Sequence, residues 1–572
     1  MTTSNQKLYL LDYGAGNVRS LLNAVEKLGH TIEYIRSASD FDKADKIIFP
    51  GVGAFGYAMK ALREKGFVEP LRAFVESGRP IMGICVGMQV MLEGSDESPD
   101  EPGLAILEGR VRLFDNTAKA VPHMGWNGAQ VVHGASGAAA AGGAVPCIGE
   151  DARYYFVHSY GLAYTGEASQ PQTVHTATRY GDETIVSSVW KRNVFGTQFH
   201  PEKSGTAGLA LLRSFIETDL IRPSPSPQET GSAGVLLPRD IRDSLSVRVI
   251  ACLDVRANDQ GDLVVTKGDQ YDVRVSASEG GHVRNLGKPV DLATRYYAEG
   301  ADEIAFLNIT SFRNMPFRDT PMLEVLRQAS RCIFVPLTIG GGVRDIVDPD
   351  GLHKWTAVDV AGEYFRSGAD KVSIGSDAVY AAERYWSRVA EGLDPLDGST
   401  AIEQIAERYG RQAVVISVDP RRVYVASPES TAHHTVKTTI PGPNGELYCW
   451  YQCTVKGGRE GRDTDVRQLV TACAALGAGE ILLNCMDRDG TNSGYDLELI
   501  ADVKGAVSIP VIASSGAGAP DHFSEVVDKT GVEAVLAAGI FHRREVPISA
   551  VKAHLSEHGT PVRLESDTRA LS

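Results

Sequence analysis

Three residues from two distant segments of the chain could together carry out acyl transfer: a thiol at Cys85, an imidazole at His200 and a carboxylate at Glu202. Cys85 lies in PIMGICVGMQVM, and the other two lie in GTQFHPEKS. A cysteine attacks a carbonyl carbon as its thiolate. A neighbouring histidine moves the proton, and a carboxylate behind that histidine fixes its tautomer. Such a set must be positioned by tight backbone. The apolar run from Pro80 to Gly83, bounded by Pro and Gly, predicts a buried parallel strand, and Gly87-Met88-Gln89 opens a helix. Cys85 is therefore expected on a strand-to-helix turn, where small neighbours permit strained backbone and the helix N-terminus favours a thiolate. A second apolar strand is expected from Val194 to Phe199, with Pro201 ending regular structure just after the histidine.

The second half carries a different pattern. From Val247 onward, short apolar strands alternate with helical stretches: VRVIACLDV, EIAFLNIT, CIFVPLTIGGG, KVSIGS, AVVISVD, EILLNCMD, IPVIASSG and AVLAAG. Eight strands with helices between them predict a parallel (β/α)8 barrel, and an open doubly wound sheet is the alternative. Their ends are polar or glycine-rich, as a catalytic face at strand C-termini requires. A faint internal repeat relates GADEIAFLNIT at Gly300 to GAGEILLNCMD at Gly477, an offset of 477 − 300 = 177. CLDV and SVDP place Asp254 and Asp419 at strand ends, an offset of 419 − 254 = 165. Two half-barrels would set these aspartates across one mouth. Glycine-rich turns at opposite rims would expose backbone N–H groups to phosphate oxygens. The pattern describes a long ligand with a phosphate at each end and acid–base chemistry in the middle.

Length and composition agree with two domains. A chain of 572 residues exceeds one hydrophobic core, and its 43% hydrophobic and 23% charged residues are those of an ordinary globular protein. No apolar run reaches the roughly 18 residues that cross a bilayer. A strand is expected from Lys7 to Leu11, which leaves no room for a signal or transit peptide. The net charge of −15 argues against non-specific nucleic-acid binding. Eight scattered cysteines fit a reducing compartment, and the cytoplasm is the expected location. Cys449 and Cys453 form a CxxxC pair with no partner pair, so no metal is expected. After an apolar helix from Ala207 to Ile216, a stretch rich in Pro, Ser and Gly reads as a linker. The expected organisation is therefore an open α/β domain at 1–221, a linker at 222–243 and the barrel at 244–572. HGASGAAAAGGAV, from His133 to Val145, reads as a surface loop.

The first half resembles a class I glutamine amidotransferase of the cysteine-triad type, with a flavodoxin-like open sheet. Over almost its whole length the chain resembles the fused imidazole glycerol phosphate synthases of histidine biosynthesis, most of all their fungal form. PGVGAFG, GICVGMQ, YFVHSYG, QFHPEKS, IACLDV, TIGGGVRD, GADKVSIGS, NCMDRDGTNSGYD and IASSGAG carry the likeness. The resemblance implies a glutaminase that releases ammonia and a cyclase that adds it to a bis-phosphorylated ribonucleotide, with no cofactor. It implies Cys85, His200 and Glu202 as triad. Oxyanion donors would lie at Val52 or Gly53 in PGVG and at Val86, and Gln89, His158, Ser159 and Tyr160 would hold glutamine. Asp254 and Asp419 become the acid–base pair, and Lys267 a loop lysine closing over substrate. Phosphates fall to Gly341, Gly342, Gly375 and Ser376 at one end. Ser515, Gly516, Ala538 and Gly539 serve the other, with Asp489, Gly490 and Thr491 in a substrate loop. Arg248, Glu303, Lys371 and Glu480 match a charged ring at the barrel's N-terminal face, through which ammonia would enter. Lys203 and Asp370 match a pair where the domains dock within one chain.

The likeness is not complete. Gly375-Ser376 stands where separate cyclases often have Asn-Thr, and Ser514-Ser515 where they often have Gly-Gly, which keeps backbone donors but removes a side-chain donor at 375. Extra segments are expected around Asp348 to Glu363, Glu383 to Ala406 and Arg421 to Gly458. Three rival readings fare worse. A pyridoxal phosphate synthase-like machine needs a strand-end lysine for imine formation, and none stands out. A nitrogen-sensing scaffold would have a broken triad, and a sugar-phosphate isomerase would have no use for an attached glutaminase.

Overall fold

The computed structural model describes residues 6–14, 16–132, 146–149, 151–166, 173–218, 238–257, 263–266, 288–308 and 317–564. The loop at 133–145, residues 222–237 of the expected linker and Lys267 lie outside the described residues. The chain divides into two compact units at the Ser246–Val247 peptide.

The first unit is built on an eight-stranded sheet. In spatial order its strands are Glu33–Tyr34, Leu8–Leu10, Lys46–Gly51, Ile81–Cys85, Val194–Thr197, Glu183–Lys191, Val174–Tyr180 and Gln130–Val131. The first five run parallel and the last three antiparallel. Ile81–Cys85 lies at the centre and is wholly buried, which is why it reads as a continuous apolar run rather than an alternating one. It extends two residues beyond the expected end at Gly83, because Gly51 and Cys85 still face each other in register. The expected Val194–Phe199 strand stops at Thr197, where pairing with Ser188 ends. The helix expected at 207–216 spans Gly205–Glu217. Residues just before Val247 pack on this unit. Ile241 is buried, Ser246 N–H donates to the Trp126 carbonyl at 2.8 Å, and Ser244 Oγ donates to Asn127 Oδ1 at 3.0 Å.

The second unit is a closed barrel of eight parallel strands: β1 (Arg248–Ala257), β2 (Glu303–Asn308), β3 (Leu337–Gly340), β4 (Lys371–Ile374), β5 (Val414–Val418), β6 (Glu480–Asn484), β7 (Val511–Ser514) and β8 (Ala534–Ala537). Pairing of β1 with β8 closes it and excludes the open sheet. Amphipathic helices follow the strands. Three of them begin with reciprocal caps, Thr356 with Asp359, Thr400 with Glu403 and Asp465 with Gln468. Part of the sequence read as insertion belongs to the barrel's own helices, Ala357–Ser367, Ser376–Ala390 and Ala401–Tyr409. What is added is a hairpin, Ile346–Val347 with Lys354–Trp355, and a sheet of Pro420–Val425, Val436–Lys437, Tyr448–Val455 and Glu460–Asp465.

Alternation along the strands sorts side chains by layer. On β1 one face carries Arg248, Ile250, Cys252 and Asp254. Glu303, Ala305 and Leu307 follow on β2, and Glu480, Leu482 and Asn484 on β6. Ile250, Cys252, Ala305, Val415, Leu482, Ile512, Ala534 and Leu536 meet in one apolar cluster. The barrel interior is thus charged at the strand N-termini, apolar in the middle and acidic at the strand C-termini. Among the described residues no helix is long and apolar enough to cross a membrane.

Candidate active site

Cys85 ends its strand in a left-handed conformation, φ 53° and ψ −112°, which only a tightly packed turn sustains. The packing is backbone on backbone: a Cβ on Gly87 would lie 1.9 Å from the Phe49 carbonyl oxygen. The helix that follows, Val86–Gln89, is a single turn, so it offers local N–H groups rather than the summed dipole of a longer helix. His200 and Glu202 lie side by side, Nδ1 to Oε1 at 2.8 Å, both buried. Nδ1–H therefore donates to the carboxylate and leaves Nε2 for the thiol. Burial opposes charge on this imidazole. The carboxylate of Glu202 and the Cys85 sulfur, each by charge and hydrogen bonding, outweigh it and hold the His200 pKa well above the usual histidine value.

Val52 and Gly53 follow the strand that pairs with Cys85, with Gly53 at φ 120° and the Val52 carbonyl facing the Tyr13 hydroxyl at 3.5 Å. Gln89 Nε2 donates to the Tyr160 carbonyl at 3.1 Å and to Gln198 Oε1 at 3.0 Å. Gln198 Nε2 in turn donates to Cys85 Sγ at 3.5 Å. Sequence reasoning passed over Gln198, although it lies two residues before the histidine in the same motif. Ser159 Oγ is buried without a protein partner among the described residues. The side chain of His158 is held by two partners. It bridges the Tyr160 carbonyl at 2.7 Å and His123 at 3.2 Å. Lys203 sits in the one-turn helix Pro201–Lys203 after the triad histidine.

At the barrel's C-terminal face a cavity of about 240 Å³ is lined by Asp254, Asp419, Asp489, Gly490, Ser515, Gly516, Ala538 and Gly539 among others. Both expected acid–base groups and one of the two expected phosphate rims thus share one hollow. Asn484 joins them: its Nδ2 donates to Asp419 Oδ1 at 3.0 Å, and its Oδ1 accepts from the hydroxyls of Ser514 and Ser515. Burial raises the Asp419 pKa, the Asn484 bond lowers it, and the charge of Asp489 raises it again, with a net upward shift. Gly341, Gly342, Gly375 and Ser376 follow β3 and β4 on the same face but do not line this cavity. Gly341 and Gly342 are left-handed, φ 92° and 77°, and Ser376 Oγ accepts from Lys456 N–H at 2.9 Å. Thr491 turns its hydroxyl onto the Arg488 carbonyl at 2.8 Å.

At the opposite end, Arg248, Glu303, Lys371 and Glu480 are the first residues of β1, β2, β4 and β6, all fully buried. They form a closed ring of alternating charge. Arg248 meets Glu303 at 2.9 Å and also Glu480, and Lys371 meets Glu303 at 2.7 Å and Glu480 at 2.6 Å. Asp370, beside Lys371, accepts from Leu337 N–H at 2.8 Å. All eight cysteines are free thiols, and no metal-binding cluster occurs among the described residues.

The two halves of the chain match two known families. Residues 9–218 match the model of class-I glutamine amidotransferases, and 248–547 match that of histidine biosynthesis proteins. Imidazole glycerol phosphate synthase hisHF of Schizosaccharomyces pombe is 56% identical over 97% of this chain and 99% of its own length. The chain belongs to the imidazole glycerol phosphate synthase hisHF family. The hisHF protein of Emericella nidulans is 54% identical over 97% of this chain and 98% of its own length. The chloroplastic hisHF of Arabidopsis thaliana is 50% identical over 98% of this chain and 90% of its own length. The chain is thus a glutamine amidotransferase fused to a cyclase, an imidazole glycerol phosphate synthase of histidine biosynthesis.

Proposed function

We propose that each half-reaction of this family runs on the residues described above. Cys85 Sγ attacks the carboxamide carbon of glutamine, and backbone N–H groups near Val52, Gly53 and Val86 receive the developing oxyanion. The C–N bond breaks as His200 gives its proton to the departing ammonia, leaving a thioester. His200 then takes a proton from water, whose oxygen attacks the thioester and releases glutamate. The placement of His200 between Glu202 and Cys85 carries this reading. Gln89, Ser159 and Tyr160 hold the amino acid, and the buried hydroxyl of Ser159 supports its inclusion.

Ammonia enters the barrel through the Arg248–Glu303–Lys371–Glu480 ring and follows the apolar interior. A lining of Ile250, Cys252, Ala305 and Leu482 tolerates neutral NH₃ and disfavours ammonium, which would be stripped of water without a counter-charge. At the mouth it adds to the ketone of a phosphoribulosyl-formimino-aminoimidazole carboxamide ribonucleotide. Water then leaves, and Asp254 and Asp419 move the protons that close the ring and cleave the C–N bond. The products are imidazole glycerol phosphate and an aminoimidazole carboxamide ribonucleotide. Ser515, Gly516, Ala538 and Gly539 take one phosphate; Gly341, Gly342, Gly375 and Ser376 take the other. The cytoplasm suits a protein whose eight cysteines are all reduced.

The test supplies either glutamine or ammonium salt to wild type and Cys85→Ala. The variant is expected to form product from ammonium salt only. Product formed from glutamine by that variant removes Cys85 as nucleophile.

A further inference from the structure

Gln89, Gln198, His158, His123 and Asn127 are all buried and joined in one hydrogen-bonded line. Its direction follows from two carbonyl groups, which only accept. The Tyr160 carbonyl is met by His158 Nδ1 at 2.7 Å and by Gln89 Nε2 at 3.1 Å, so both nitrogens must carry hydrogen there. His158 Nε2 then holds a lone pair, and His123 Nδ1 must donate to it across 3.2 Å. His123 Nε2 is left as an acceptor, met by Asn127 Nδ2 at 3.2 Å. Asn127 Nδ2 also donates to the Arg179 carbonyl at 3.0 Å, which fixes the same orientation from the other end. On the near side, Gln89 Nε2 reaches Gln198 at 3.0 Å, so Gln198 must offer its oxygen to Gln89. Its nitrogen therefore faces Cys85 Sγ, at 3.5 Å. Burial keeps both histidines neutral, so each has one tautomer in this line.

We propose that Gln198 is a positioning residue of the glutaminase, holding the Cys85 sulfur as an oriented thiolate through an N–H donor that Gln89, itself fixed by the Tyr160 carbonyl, keeps from flipping. This rests on the reading of Cys85 as nucleophile. A sulfur anion in a site closed to water needs donors, and His200 supplies one from one side. Gln198 supplies another from the strand end that also carries the histidine, so a single backbone segment sets both partners of the sulfur. An N–H donor to a thiolate is a charge-assisted bond, stronger than one to a neutral thiol, and so favours the reactive form.

The experiment uses the full chain and follows alkylation of the Cys85 peptide by iodoacetamide across pH, with mass-spectrometric readout. Gln198→Glu keeps shape and replaces the donor by an oxygen; Gln198→Leu removes it. The expected result is an alkylation midpoint raised by about one pH unit, a tenfold loss of thiolate at fixed pH. Turnover with glutamine should fall about 10- to 100-fold, with KM for glutamine within about threefold. A merely structural role would lower thermal stability and leave the midpoint in place, and an unchanged midpoint in folded Gln198→Glu overturns the proposal. Should Gln198→Leu fail to fold, Gln198→Glu decides alone. Cys85→Ala, run in parallel, separates the two readings. Inactivity with glutamine there, beside a wild-type-like Gln198→Glu, rejects the role of Gln198 and leaves the triad standing. Activity with glutamine in Cys85→Ala removes both.

Discussion

Asn484 donates its amide N–H to Asp419 Oδ1 at 3.0 Å while its oxygen is held by Ser514 and Ser515. One residue at the end of β6 thereby ties the proposed acid–base group to a proposed phosphate rim. That bond favours the ionised carboxylate, against burial and the charge of Asp489. Removing it in Asn484→Leu leaves the two raising influences unopposed. The Asp419 pKa should climb. Measured as a pH profile of ammonium-dependent turnover, the acidic limb moves up if Asp419 acts as the base, and the alkaline limb moves up if it acts as the acid. Two unmoved limbs would show that the bond has no bearing on the reaction.

The ring at the strand N-termini should be fragile to loss of one member. Burial works to raise the Glu303 pKa, but Lys371 and Arg248 outweigh it and set it below the usual value. A lowered carboxylate pKa stabilises the fold above the unfolded value of about 4.3 and loses that contribution as pH falls through the folded value. Lys371→Met leaves two buried carboxylates sharing one arginine. We expect a loss of about 3–5 kcal/mol in urea unfolding of the barrel unit near neutral pH, and a smaller further loss on acidification than in wild type, because the under-compensated carboxylates then take up protons more readily. Equal urea midpoints for the two proteins would contradict this.

His158 has its pKa pushed down to about 4, first by burial, with the Tyr160 carbonyl opposing and His200 adding repulsion. Here the unfolded chain binds the proton more readily, near pH 6.5. Stability of the first unit should therefore fall as pH drops from about 6.5 towards 4, by up to about 3 kcal/mol from this residue. Comparing urea unfolding at pH 7 and pH 5 in wild type and His158→Gln checks it. The difference between the two pH values should shrink in the variant.

Gly87→Ala tests the backbone contact beneath the nucleophile. Its new Cβ would stand 1.9 Å from the Phe49 carbonyl, so the turn must move. Glutamine-dependent synthesis should drop at least about 100-fold, since a displacement near 1 Å is enough for such a loss. Ammonium-dependent synthesis, which uses only the barrel, should stay within about twofold. A variant that retains both activities would mean the turn tolerates the shift.

Much of this was legible in the chain because the elements involved are short, apolar and punctuated. The β1 segment IACLDV announces both a buried strand and its acidic end, and the turn at GICVGMQ has no other use for its glycines. What escaped the sequence were contacts made across the fold. Gln198 reads as one more polar residue in GTQFHPEKS until folding brings its amide to Cys85, over a hundred positions away. Asn484 reads the same way in LLNCMD, because nothing local says that Asp419 lies beside it. The bond from the His158 imidazole to His123 on the neighbouring antiparallel strand is likewise invisible in the sequence. Element ends shifted by a residue or two for a similar reason, since pairing with a neighbour, not composition, decides where a strand stops.

The barrel's layering has a consequence for how this chain can change. Arg248 and Asp254 stand on one strand, six positions and about 20 Å apart, and both face inward because six is even. A single codon gained or lost within that segment would turn the salt-bridged floor, the greasy shaft or the acidic crown outward under the helices. Length can drift freely in the connecting loops, as the added hairpin and sheet attest. Inside the staves themselves, parity is what heredity must keep.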